Sequence, residues 1–313
     1  MRSVFFAVLL LATALAGRAA ETAAINAADA AASAAPAAQP EGLPPGASEI
    51  FHIGPFPVTN SMLVTWIVAL GVILFARFAT RHMKAVPDGA QNFWEWMVES
   101  LHDFLEGVVG PELVKKAFWF FATIFIFICF TNWFGLIPGV GTIGWGVQTP
   151  EGVEVTRPWL RGGNADLNMT SAMAVTFMVL WLIWAVQANG LWKFVLHIFG
   201  PKGDLTGALR YSLMAVFLLV GFIELLSIAF RPIALSLRLY GNIFAGESLL
   251  DAMSRAVQHP PWAKAVFSAL LPVPFYFMEL LVGLVQALVF MLLTAVFTGV
   301  ICDPGEEHQK GSH

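Results

Sequence analysis

The chain has 313 residues, of which 58% are hydrophobic and only 12% are charged, and its net charge is −4. A soluble domain carries roughly 25% charged residues, so the composition excludes an ordinary soluble enzyme, and the small net charge offers nothing to nucleic acid. The remaining charges lie between long apolar runs, the pattern of an all-α polytopic membrane protein.

Residues 1–20 read as a secretory signal peptide. Arg2 gives a positive start, Val4 to Leu11 a short apolar core, and Ala14-Leu15-Ala16 a small-x-small cleavage site. The alternative is a first membrane helix, but the apolar core is too short to span a bilayer. Residues 21–50 are Ala/Pro-rich and are expected to form a disordered extracytoplasmic segment. Residues 51–302 are expected to make one membrane domain, and 303–313 a cytoplasmic tail.

Five apolar tracts follow. The first runs from Met62 to Phe78, and Arg77, Arg81, His82 and Lys84 mark its cytoplasmic end. Between 88 and 112, Phe93, Trp96, Met97, Leu101, Phe104 and Val108 recur at helical spacing with acidic residues between them. That segment reads as an amphipathic surface helix, or as a helix packed on a partner subunit. Ala117 to Ile137 then runs outward, residues 138–166 form a Gly/Pro-rich outer loop, and Met169 to Ala188 returns inward towards Lys193 and Lys202. The last two tracts, about 209–250 and 262–301, are joined by Asp251 to Pro261. Five crossings from an outside start end inside, so signal, charge bias and span count agree.

The last two tracts are too long for upright spans. A helix of about 42 residues extends ~63 Å, twice the ~30 Å hydrocarbon core. Two long, steeply tilted helices are expected, with Pro232 as a hinge; the alternative is four short re-entrant helices. The first of these tracts carries charge at bilayer depth. Glu224, Arg231 and Arg238 are spaced by sevens, which returns to within about 20° of one helix face. Asn242 lies on the same stripe, and Glu247, nine residues beyond Arg238, points to the opposite side of a straight helix. In the last tract Glu279, Gln286 and Thr294 form a candidate polar stripe, bordered by the small residues Gly283 and Ala287.

Structural readings stand beside the functional ones. Glu224 and Arg231 can simply pair, and Asn242 and Gln286 can tie helices together. Arg238 is different, because no acidic residue lies within four positions of it. Its partner must come from another helix or another chain. Cys129 and Cys302 read as packing residues, and no metal-ligand spacing or G-x-x-x-x-G-K-[ST] motif is present. No cofactor is expected.

The run S-L-R-L-Y-G-N-I-F-A-G-E (Ser236 to Glu247) is followed about forty residues later by Val285-Gln286-Ala287 and Phe290-Met291. This resembles subunit a of the F-type ATP synthases, as do A-D-L-N-M-T at Ala165 to Thr170, F-H-I-G at Phe51 and E-E-H at Glu306 to His308. The resemblance covers roughly residues 50–308. It implies a stator subunit, with no catalytic site of its own, beside a rotating ring of c subunits that each carry one membrane-embedded carboxylate. It further implies two offset aqueous half-channels, b subunits of a peripheral stalk, an indirect link to the F1 ATPase head, and a bacterial inner membrane. By the resemblance, Arg238 matches the essential arginine. Asn242, Glu247 and Gln286 match the outer half-channel, and Glu224 and Arg231 match positions near the inner exit. Glu279 falls where some members carry His and others an acid, and Ala234 stands where some carry Ser. A stand-alone proton-coupled secondary transporter is the competing reading, though the internal repeats usual in such proteins are not evident.

Overall fold

The structure is a computed structural model that describes residues 46–141, 143–149, 152–199, 214–254, 256 and 261–302. The signal at 1–20, most of the 21–50 segment, and the tail with its E-E-H run lie outside the described residues. Strand β1 (Glu49–Ile53) pairs antiparallel with β2 (Phe56–Thr59). Regular backbone therefore begins inside the stretch assigned to the disordered segment. Gly54 turns the hairpin at φ 62°, a left-handed conformation that favours glycine.

Helix α1 (Asn60–Ala79) starts where the Thr59 side chain accepts from the Met62 N–H at 3.4 Å. Helix α2 (Gly89–Val109) buries Leu101 and Leu105 and exposes Phe93, Trp96 and Phe104, the two-sided distribution expected of the amphipathic segment. Gly110, at φ 80°, ends it, and Pro111 opens α3 (Pro111–Gly135), where a missing N–H costs nothing. Residues 138–166, read as a plain loop, contain a hairpin of β3 (Gly144–Thr149) and β4 (Gly152–Pro158). Its valines and Trp145 favour strand, but the interspersed glycines hide that signal in the sequence. A single 3-10 turn at Gly163–Ala165 leads to α4 (Leu167–Asn189), capped by Asp166, whose Oδ1 accepts from the Asn168 N–H at 3.0 Å. Helix α5 (Leu191–Phe199) follows Gly190.

Helix α6 (Met214–Ser254) runs unbroken through Pro232 for 41 residues, so the first long tract is one helix and not two re-entrant ones. The second long tract is divided. Helix α7 (Pro261–Leu270) stops one residue before α8 (Pro272–Cys302) begins. Pro272 lacks an N–H and disfavours helical backbone at Leu271, which accounts for the break. Among the described residues five helices are long and apolar enough to cross a membrane.

Helix α3 is the most buried, with Phe121, Ile128 and Cys129 in the core beside Phe177 and Trp181 of α4. Polar side chains tie α3 to α8: Asn132 Nδ2 donates to the Gly283 carbonyl at 2.9 Å, and Trp133 Nε1 to that of Leu280 at 3.1 Å. Helix α4 is held to α8 by Trp181 Nε1 donating to Phe297 O at 3.1 Å and Asn189 Nδ2 to Ile301 O at 2.7 Å. One flank of α6 stays open and apolar, with Phe230, Ile233 and Leu237 exposed.

A Cβ at Gly283 would lie 3.0 Å from the Cβ of Asn132. Gly283→Val is therefore expected to push α8 from α3 at a cost of about 1–3 kcal/mol. Thermal unfolding of the detergent-solubilised protein should show a lower midpoint, and an unchanged midpoint would contradict the close α3–α8 contact.

Candidate functional site

The site grows from the inner face of α6. Glu247 lies nine residues beyond Arg238, and the unbroken helix carries it to the opposite side, as the spacing predicts. Its side chain is only 16% exposed and faces Arg161, whose Nε lies 3.8 Å from Glu247 Oε2. Arg161 is itself 4% exposed. Its Nη1 donates to the Gly46 carbonyl at 2.6 Å, and its guanidinium lies 5.9 Å from the Phe244 ring centroid. Its Nε and Nη2 have no hydrogen-bond partner among the described residues.

Glycines make room for this pair. A Cβ on Gly162 would stand 2.6 Å from Glu247 Oε1, and one on Gly135 would stand 3.2 Å from the Cα of Gly162. Gly246 faces the other acid, because a Cβ there would collide with the carboxyl of Glu279. Glu279 comes from α8 and is 5% exposed, with Oε1 unpartnered among the described residues.

Two cavities meet at Glu279. A small, partly enclosed chamber of about 10 Å³, the scale of one water, is lined by Thr131, Asn132, Asn164, Glu247 and Glu279, among others. An open groove of about 450 Å³ is lined by Asn242, Gly246, Glu279 and Gln286, with apolar residues between them. Glu279 belongs to both. The amides of the chamber are locked: Asn164 Nδ2 donates to Asn132 Oδ1 at 2.6 Å while Asn132 donates to α8. Asn164 Oδ1 is left without a donor among the described residues, so the chamber presents acceptors.

Of the residues singled out from sequence, Glu247, Glu279, Asn242 and Gln286 are brought together. Arg238 lies one helical turn before Asn242; both are exposed, and among the described residues Arg238 makes no ion pair. Glu224 and Arg231 stand apart from the chamber, towards the start of α6. Arg231 is half-buried, 4.4 Å from the Phe297 ring centroid and 6.0 Å from that of Trp181, with Glu224 within electrostatic reach. Thr294 does not join the polar stripe. It is buried, and its hydroxyl donates to the carbonyls of Phe290 and Met291 in its own helix, which turns it away from the groove. Ser236 ties α6 to α4 through Thr170 at 3.1 Å and Ser171 at 2.9 Å.

Sequence reasoning missed Arg161, Asn132 and Asn164. It also missed the buried contact in which Ser61 donates to Asp166 Oδ2 at 2.5 Å. The available signal was the run Arg161-Gly162-Gly163-Asn164, immediately before A-D-L-N-M-T. Among the described residues no cluster of three His, Cys, Asp or Glu side chains is placed to hold a metal ion.

These features define a polytopic helical membrane protein with two glutamates and a buried arginine beside a groove. Residues 62–299 match the family described as ATP synthase A chain. The chain is 30% identical over 249 residues to ATP synthase subunit a of Moorella thermoacetica, covering 80% of this chain and 93% of that one. It is 29% identical over 264 residues to ATP synthase subunit a of Gloeobacter violaceus, covering 84% and 92%. Similarity extends to the sodium ion specific ATP synthase subunit a of Propionigenium modestum, at 28% over 246 residues, covering 77% and 73%. The chain belongs to the ATP synthase A chain family.

Gly246→Ala puts a methyl group where the Glu279 carboxyl lies. A density map of this variant should show that carboxyl moved out of the space between groove and chamber. An unmoved Glu279 would contradict the packing described here.

Proposed function

We propose that this chain is the proton-conducting stator subunit of the membrane sector of a rotary ATP synthase. In this reading it stands in a bacterial inner membrane with its mature N-terminus outside and its C-terminus in the cytoplasm. Its partners are a ring of c subunits, the b subunits of a peripheral stalk, the surrounding lipid and, indirectly, the F1 head. The observation that carries the reading is the position of Glu279, which lines both the small chamber holding Glu247 and the open groove reaching Asn242 and Gln286. In this reading a proton bound at Glu247 passes to Glu279 and then to the groove. The groove opens on the face that carries Arg238.

Arg238 supplies what the end of such a path needs. A guanidinium is not deprotonated in a protein, so it holds charge without relaying a proton. A carboxylate brought to ~4 Å from it gains ~4 kcal/mol at an effective dielectric of 20. A ring carboxyl that lipid keeps protonated would therefore release its proton on reaching Arg238. The same charge repels a proton moving directly between the two half-channels. Glu224 and Arg231, towards the other end of α6, are assigned to the exit towards the cytoplasm. The aromatic contacts of Arg231 with Phe297 and Trp181 hold its charge in place there.

Two outcomes test this reading. Arg238→Ala is expected to abolish proton-driven ATP synthesis in membrane vesicles while native gels still show the assembled complex; substantial synthesis by that complex would refute the role. Replacing Glu247 and Glu279 with Gln should slow proton entry, measured as passive conduction into vesicles. The double variant should lose more than either single one, on the order of a hundredfold. Wild-type conduction in both single variants would remove the acid pair from the path.

A further inference from the structure

The buried arginine next to the acid pair is not used by the path as described so far. Arg161 lies outside every apolar tract, yet the fold places it at 4% exposure with its Nε 3.8 Å from Glu247. A buried cation is costly unless paired, and this one keeps two nitrogens, Nε and Nη2, without a hydrogen-bond partner among the described residues while it faces a carboxylate. Its remaining anchor is the Gly46 carbonyl, before the first strand. A group that served only to fill space here would be cheaper as an apolar side chain.

We propose that Arg161 is a positioning residue for proton entry: it holds Glu247 at the chamber wall and gives the Glu247–Glu279 pair a fixed positive neighbour, so that the bound proton stays exchangeable. The inference rests on the proton path proposed above. Its physical basis is charge. Two largely buried carboxyls beside an acceptor-lined chamber resist carrying two negative charges, and without a cation they would hold a proton too firmly to pass it on. One guanidinium offsets one carboxylate and leaves the pair with room for a single mobile cation. An arginine suits this better than a lysine, because its fork meets Gly46 and Glu247 together and its charge does not titrate.

The charged and titratable neighbours of Glu247 can be named by element. The segment before α4 contributes Arg161, α8 contributes Glu279, and α6 itself contributes Tyr240, which Asp166 also faces. Helix α3 presents Thr131 and Asn132, which are polar and uncharged. Asp166 is engaged by Ser61 and by the Asn168 N–H. Among these groups Arg161 is the cation, so its removal leaves the carboxyl groups without an opposing charge.

The test measures proton conduction as a function of external pH in vesicles containing the whole complex. With Arg161→Gln the proton is harder to release, and the conduction profile should move to higher pH by about one to three units, the range set by an opposite charge at this distance. Arg161→Lys keeps the charge and should return the profile towards that of the wild type. A wild-type profile in an assembled Arg161→Gln complex would overturn the proposal and leave the residue a structural role only. Should Arg161→Gln fail to assemble, the double variant Arg161→Gln with Glu247→Gln removes both charges and is expected to assemble. Failure of that double variant would also count against the pairing. Absence of conduction in the wild-type complex would sink the proposed path itself, a result distinct from an unmoved profile.

Discussion

An ion taken out of water into an apolar surround loses several kcal/mol of solvation, even after the protein relaxes around it. That cost bears on each arginine carried into or beside the apolar helices. Arg161 and Glu247 meet it together, as a buried pair 3.8 Å apart. Arg231 meets it with the faces of Phe297 and Trp181 and the nearby charge of Glu224. Arg238 has no such arrangement among the described residues, and it stands on the open, apolar flank of α6 beside Leu237. A permanent cation so placed needs an anion supplied by a neighbouring molecule, and the proposed function takes that anion from the ring of c subunits.

The chamber depends on backbone as much as on acids. Three glycines (Gly135 at the end of α3, Gly162 in the turn before α4 and Gly246 in α6) let these elements and α8 close around two carboxyl groups. Any side chain at these positions would displace Glu247 or Glu279, or separate the elements that hold them. The amide chain from Asn164 through Asn132 to the Gly283 carbonyl stiffens the same region and joins the chamber wall to the α3–α8 contact. Site geometry and helix packing are thus held by shared residues.

Much of this was legible in the sequence, for identifiable reasons. Hydropathy and length marked the five spans, because a bilayer imposes a strict length on apolar helices. Helical periodicity separated Arg238 from Glu247, since nine residues amount to half a turn beyond two full ones. Arg161 was not legible. It lies in a Gly/Pro-rich connection with no period, and only the tertiary fold carries it inward. The strands of 144–158 were hidden by their glycines, and the break at Leu271 was masked by continuous hydropathy on both sides of Pro272. Thr294 was misplaced because spacing alone cannot tell a hydroxyl facing a groove from one bonded back to its own helix.

A density map of the assembled membrane complex would test the central claim most directly, by showing what stands opposite the Arg238 guanidinium. The account predicts an acidic side chain of a different subunit within about 4–6 Å, the range over which opposite charges strongly favour the ionised form. An Arg238 folded against an acid of its own chain, or facing lipid alone in every rotational state, would contradict it.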